Sequence, residues 1–469
     1  MRRIVGGAIL ALAMLAEAGA ADLSQTGPLA SSEAIMGARA TRQDGFEFTV
    51  TPKGGAALTV DSSPDVQVVF QDPVSTITDY ALKRVILLRD QDKVHATVNT
   101  SLYAPVALRA ASARSWPGER AALIKSGTKD KSLLDPFWRE CATQIPLGPS
   151  SLVRRAAKDG SVHFLHGGKD VASYALSRQT LTKDESLGLA RFLRGNTALH
   201  PAIIADIQKS GRMPARIMYA LAPSAKKPPV MLTFSAAQPV KAVYPLRKGE
   251  TVVPLRPGAS VYDTTMAALL PVMQAAQAGS APGKKSLADY RTTIDAAVKA
   301  KQPFQAVIDT LEMSFQFGNA AIACADPAPA DCHALKDLLA DAADDPRVAA
   351  LKAALAPTPQ TMNQAIASLT AMKRDDLANA YVLDEFLAND LVAAGRPDDA
   401  LPLFAAVLKD NPYAPVFYKN LGDLLRGRGR ADLAWFCYDL GRQLPGGAAA
   451  LSSVTDSEVK LEKDYPQFF

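Results

Sequence analysis

From Phe46 onward, short apolar-rich runs alternate with polar, turn-forming ones. "FEFTV", "ALTV", "VQVVF", "YALKRVILL" and "HATVNTSL" are rich in Val, Thr and aromatic residues. Between them stand "PKGG", the run Ser62-Ser63-Pro64-Asp65, "QDPVS" and "RDQDK". β-Branched and aromatic side chains suit a pleated, half-buried strand, while Gly, Pro, Asp and Ser supply turn geometry. The polar run Arg89 to Lys93 therefore predicts one hairpin, and "SVHFLHGGKDVASYAL" predicts another with Gly167-Gly168 at its tip. Helical signals interrupt the strands at "ERAALIKSG" and "LLDPFWRECATQI". Thr182 and Glu185 make a capping box, and His200-Pro201 opens a short helix that Gly211 stops. "ARIMYAL", "VMLTF" and "VKAVYPL" return to strand. The pattern predicts an α+β domain over residues 46–262, mostly antiparallel strands with inserted helices, after a loose lead-in at 22–45.

Past a helix and a linker of small residues at 263–286, the period changes. "SLADYRTTIDAAVKAK", "PFQAVIDTLEMSFQFG", "DCHALKDLLADA", "PRVAALKAALA", "TPQTMNQAIASLTAMK" and "DLANAYVLDEFLANDLVAAG" carry apolar residues at three and four spacing. Short amphipathic helices with short loops predict an all-α helical solenoid over 287–460.

Within that region "AGRPDDALPLFAAVLKDNP" superposes on "RGRGRADLAWFCYDLGRQLPG". Gly395 falls on Gly429, Ala400 on Ala434, Phe404 on Tyr438, and in the preceding helices Leu387-Ala388 falls on Leu421-Gly422. Small residues let paired helices approach, and the aromatics fill the gap to the next helix. A helix–turn–helix unit of about 34 residues with these marks resembles the tetratricopeptide repeat, with copies at about 379–412 and 413–446. Early in the first helix, where the family favours Trp or another large residue, the first copy has Asp384 and the second Tyr418. The resemblance implies a concave groove that holds a protein or peptide partner, with Asp384, Asn389, Lys419, Asn420, Asp423 and Arg426 facing it. Arg426, Arg428 and Arg430 would add a basic cluster able to meet an acidic segment.

Charge separates the same two regions. Residues 1–285 hold 35 Lys+Arg against 22 Asp+Glu, hence +13, and residues 286–469 hold 17 against 25, hence −8, which sum to the +5 of the whole chain. A basic first domain could contact an anionic envelope surface. "MRR", the apolar "IVGGAILALAMLA" and Ala18-x-Ala20 form a secretory signal peptide, residues 1–21, cleaved near Ala20. The apolar run is shorter than the roughly 20 residues of a membrane span, so the expectation is a periplasmic or secreted chain with no transmembrane segment. Cys324 and Cys332 flank a short Pro-rich loop and predict a disulfide in an oxidising compartment, whereas Cys141 and Cys437 read as buried thiols.

Candidate chemistry is sparse. His163 and His166 lie three apart on a strand and so project to opposite faces, which argues against a shared metal. No dinucleotide, phosphate-loop, zinc-protease or Gly-x-Ser-x-Gly motif occurs, so no catalytic residue, metal or cofactor is expected, and no nucleic-acid motif is present. The sequence thus predicts a binding or scaffold protein of the cell envelope. The alternative is an envelope enzyme with its active site in the α+β domain, which a cleft uniting Cys141, His163 and His166 would favour.

Overall fold

The computed structural model describes residues 27–30, 32–37, 43–71, 74–91, 94–223, 227–242, 246, 251–252, 258–324, 332–372 and 377–469. The expected signal peptide lies outside them, as do Asp92 and Lys93 of the first expected hairpin turn. The described residues form two compact units: one runs to Pro254 and includes Val459–Phe469, the other is Leu255–Glu458.

In the first unit one sheet contains β1 (Gln43–Pro52), β2 (Leu58–Ser62), β3 (Val66–Phe70), β4 (Val74–Asp79), β5 (Arg84–Gln91), β6 (Val94–Ser101), β7 (Val153–Ala156), β8 (Val162–His166), β9 (Lys169–Thr180), β10 (Arg212–Tyr219), β11 (Val230–Phe234), β12 (Gln238–Ala242) and β13 (Thr251–Val252). Its order is β13-β6-β5-β4-β3-β2-β1-β11-β10-β9-β8-β7, with β12 also on β1. Every ladder among the described residues is antiparallel except β13 to β6. β1 pairs Phe48 with Val60 of β2 and Val50 with Phe234 of β11, so it joins the two halves of the sheet.

Alternation along β1 buries Phe46, Phe48 and Val50 and leaves Glu47 and Thr49 half-exposed. Against that face pack Leu189, Phe192 and Leu193 of a helix at Lys183–Asn196 and Ile203, Ile204 and Ile207 of one at Pro201–Ser210. The rings of Phe48 and Phe192 meet edge to face at 5.5 Å. The predicted caps are in place: the Thr182 hydroxyl accepts from the Glu185 N–H at 3.2 Å, and the Thr182 N–H donates to the Glu185 carboxylate at 2.7 Å. Gly211 ends the second helix at φ 61°.

Two elements differ from the sequence pattern. The lead-in contributes α1 (Ser32–Gly37), whose Ile35 is buried with Val66, Val68, Ile77 and Ile86. A single anchoring residue leaves no period to detect. The helix expected at "ERAALIKSG" starts much earlier, as α2 (Tyr103–Lys125), and runs through Pro117. An interior proline costs a helix about 3 kcal/mol, but here Ala110, Ala113 and Trp116 are buried just before it and hold the first half in place. The helices that follow are α3 (Pro136–Thr143), α4 (Lys183–Asn196) and α5 (Pro201–Ser210).

In the second unit the helices are α6 (Val261–Gln277), α7 (Leu287–Lys299), α8 (Pro303–Phe317), α9 (Leu335–Asp341), α10 (Pro346–Ala354), α11 (Met362–Ala371), α12 (Tyr381–Ala393), α13 (Pro397–Asp410), α14 (Pro415–Gly427) and α15 (Ala431–Arg442), followed by α16 (Gly447–Ala450). α17 (Ser452–Asp464) carries the chain into the last residues of the first unit. α6, which the sequence pattern set beside the linker, packs on α13 and α15. Arg430 fixes it by donating to Ser260 at 2.8 Å and Asp263 at 2.6 Å. Cys324 and Cys332 form a disulfide, and Cys141 and Cys437 are buried thiols.

The α12–α13 and α14–α15 pairs begin at Tyr381 and Pro415, turn after Ala393 and Gly427, and resume at Pro397 and Ala431. Gly395 and Gly429 take left-handed φ values of 76° and 74° in the two turns, a conformation that a Cβ disfavours. Leu387, Ala388, Ala400, Phe404, Leu421, Ala434 and Tyr438 are all buried.

At Gly422 a Cβ would stand 2.4 Å from the Tyr438 ring, whereas at Gly427 it would meet nothing within 4 Å. Gly422→Ala is expected to destabilise the helical unit by about 1–3 kcal/mol through overpacking, and Gly427→Ala to change stability little or raise it by about 0.5–1 kcal/mol through helix propensity. Urea unfolding of both variants checks this; equal effects would show that Gly422 is not a packing position.

Candidate functional site

The residues expected to face a groove sit on α12 and α14, where most of them have partners within the unit. Asn389 donates to the Glu385 carboxylate at 3.0 Å and Asn420 donates to the same oxygen at 2.5 Å, so Glu385 ties the two helices together. Its second oxygen is buried with no hydrogen-bond partner. Burial pushes the Glu385 carboxyl up to about 7, against the opposing pull of the two amides. Lys419 and Arg426 both pair with Asp423, at 2.8 and 3.2 Å, and the Tyr438 hydroxyl donates to Asp423 at 2.7 Å. Asp384 is half-buried in the first turn of α12. Asp410 has its carboxyl raised by burial and then by the Asp384 charge.

The expected basic cluster is neutralised within the unit. Arg428 takes Asp398 in two contacts at 2.9 Å and the Tyr262 hydroxyl at 2.7 Å. Arg430 pairs with Asp263 and Asp432. The Arg430 bonds, with those of Ser260, hold the Asp263 carboxyl down to about 2. A cluster that reads as exposed charge is engaged by internal partners from other helices.

In the first unit the two histidines of β8 part company. His163 places its Nε2 3.0 Å from the Ser161 hydroxyl and its Nδ1 2.5 Å from Asp170. His166 points to the core side, stacked on the Phe137 ring at 4.4 Å. Its Nε2 is 2.6 Å from the Asp135 carboxylate and its Nδ1 2.9 Å from the exposed Ser151 hydroxyl. Asp135 also caps α3, accepting the Phe137 N–H at 3.0 Å, so the carboxylate is held on both sides. His200 also stacks on the Phe137 ring, at 5.0 Å. His200 bonds the buried Glu140 and lines a cavity of about 560 Å³ with Glu140, Gln144 and Arg194. Burial lowers the His200 pKa, and Glu140 opposes that shift.

Cys141 is buried beside this cluster, and desolvation, then the Glu140 charge, pushes its thiol well above the usual range. A thiol in that state is no nucleophile at neutral pH. Among the described residues no hydrogen bond joins Cys141 to His163 or His166. The arrangement that does form, Asp135–His166–Ser151, has no local motif: its members lie on a helix cap, a strand end and a loop. Among the described residues no group of His, Cys, Asp and Glu could hold a metal ion, and no helix is long and apolar enough to cross a membrane. No family model, curated protein or solved structure matches the chain.

The raised Glu385 carboxyl carries a signed pH prediction. An unfolded Glu releases its proton near 4.3, and the folded one near 7, so between these values the folded state binds more protons and stability falls as pH rises. Glu385→Gln removes that loss. From pH 5 to pH 8 its stability should fall less than that of the native chain, by on the order of 2 kcal/mol, in urea titrations at the two values. The difference is the readout, because Asp390 and Glu458 are raised to about 6 and about 7 by burial and titrate in the same window.

Proposed function

We propose that the protein is an exported binding or scaffold protein of the cell envelope that docks an extended, cationic protein segment on a tetratricopeptide-like helical array. The observation that carries this reading is the 34-residue offset of the α12–α13 and α14–α15 pairs, with their glycine turns and small contact residues in matching places. Asp384, Asn389, Lys419, Asn420, Asp423 and Arg426, drawn from both first helices, would meet such a segment. A positive occupant is favoured because Asp384 and Asp410 place like charges near each other and because residues 286–469 carry the net −8 derived above. The disulfide supports an oxidising compartment.

The test is photo-crosslinking from position 419 of the full chain in an envelope extract, with Asp384 either kept or changed to Lys. A discrete adduct that is lost in the Asp384→Lys chain and weakened at least tenfold by 0.5 M salt is the expected result. Unchanged capture would show that this face is not the docking site. Truncation before the repeats would not serve, since residues 459–469 belong to the first unit.

A second reading, an acyl hydrolase, is favoured by Asp135–His166–Ser151. With Asp135 accepting a hydrogen bond from the Nε2–H, the unprotonated Nδ1 can take the Ser151 proton as the Ser151 Oγ attacks a carbonyl carbon. His166 would then return that proton to the leaving group, and water would release the acid. This reading predicts that a fluorophosphonate probe labels the chain and that Ser151→Ala and His166→Gln abolish labelling. An unlabelled native chain would eliminate it.

A further inference from the structure

A second cavity of the first unit, about 220 Å³, collects positive charge. Arg109 of α2 and Arg191 and Arg194 of α4 line it. Its other walls are apolar or neutral, among them Val69, Val85 and Leu102. Among the described residues no side-chain carboxylate forms an ion pair with any of the three arginines. Arg191 donates to the Pro64 carbonyl at 2.6 Å and to an oxygen of Phe469, which carries the terminal carboxylate, at 2.8 Å, whereas Arg194 donates to the neutral Gln467 carbonyl at 3.0 Å. The Arg191 guanidinium lies 3.7 Å from the Tyr80 ring centre and that of Arg109 5.2 Å from the Phe468 ring centre. The Nε atoms of Arg191 and Arg194 are buried with no hydrogen-bond partner.

That state is energetically unfavourable by itself. Taking a cation from water into a low-dielectric site is costly unless an opposite charge compensates it. All three guanidinium groups have pKa values lowered by burial first. The Arg191 charge lowers that of Arg194 further, while the Asp65 charge opposes the shift of Arg191 without bonding to it. Main-chain and ring contacts offset only part of the lost hydration. Guanidinium forks match the oxygens of a phosphate or carboxylate, which they grip in paired hydrogen bonds.

We propose that this cavity binds a small amphiphilic oxyanion, its phosphate or carboxylate head held by Arg109, Arg191 and Arg194 and its short apolar body lying against Val69, Val85 and Leu102. Gln467 and Phe468 line the same cavity, so the 466–469 segment forms part of the site wall. The small volume selects a single short chain over a two-chain lipid.

The experiment is calorimetric titration of the full chain with hexyl phosphate, hexanoate and hexylammonium. The expected result is saturable binding of at least one of the two anions and none of the cation. The tighter anion assigns the head group as phosphate or carboxylate. Arg109→Gln and Arg194→Gln should each weaken binding at least tenfold, while Arg178→Gln, on an exposed position of β9, should leave it unchanged. Arg109→Lys keeps the charge but loses the fork and should fall between. In the absence of anion the Gln variants should unfold no earlier than the native chain, since a half-buried charge with no carboxylate partner has been removed. Neither anion binding better than hexylammonium would overturn the proposal. So would Gln variants that are folded and bind as the native chain does, or binding seen only with phosphatidylglycerol vesicles.

Discussion

One strand carries the strand-rich unit. Most ladders of its sheet join strands that follow one another along the chain, β1 to β6 on one side and β7 to β11 on the other. β1 is where the two series meet, through Val50 opposite Phe234. Local hairpins close at little entropic cost because their loops are short, but this ladder brings together residues far apart in sequence. Its stability comes from the alternation Phe46, Phe48, Val50, which aims three large side chains at α4 and α5. Slip the register by one residue and all three would face away from that core.

One of the two cavities draws on both series of strands and their helices. The arginine-lined one draws walls from β3, β4 and β5 of the first series and from α4, which follows β9 of the second. Arg191 and Arg194 lie on the helix whose Leu189, Phe192 and Leu193 pack into the core. Burying one face of α4 thus fixes where its next face places two guanidinium groups. The two histidines are positioned in the same manner, since Phe137 belongs to the core cluster and both imidazoles stack on its ring.

Much of this was legible in the sequence because it is local. Turn glycines, the Thr182–Glu185 box and the alternation of β8 and β9 act over a few residues, and the 34-residue offset is visible because small residues recur at fixed positions. What escaped is long-range. Arg428 and Arg430 look exposed until Asp398, Tyr262 and Asp263 arrive from other helices. Asn389 and Asn420 look available until Glu385 takes both. Ser151, Asp135 and His166 share no motif, and the three arginines stand on helices whose packing no periodicity reveals. α1 rests on one buried isoleucine, too little to register as a pattern.

Residues 459–469 give the molecule a particular order of assembly. Tyr103 donates to Glu462 at 2.5 Å and its ring lies near that of Phe469, and Arg191 and Arg194 hold the Phe469 and Gln467 main-chain oxygens. A ribosome finishes the sheet and α4 long before it makes these partners. Until residue 469 emerges, the strand-rich unit lacks one wall while the intervening helices are being synthesised. A chain stopped anywhere within the helical unit therefore leaves Arg191, Arg194 and the surrounding apolar surface uncovered, so an interruption late in translation is displayed on the unit that was made first.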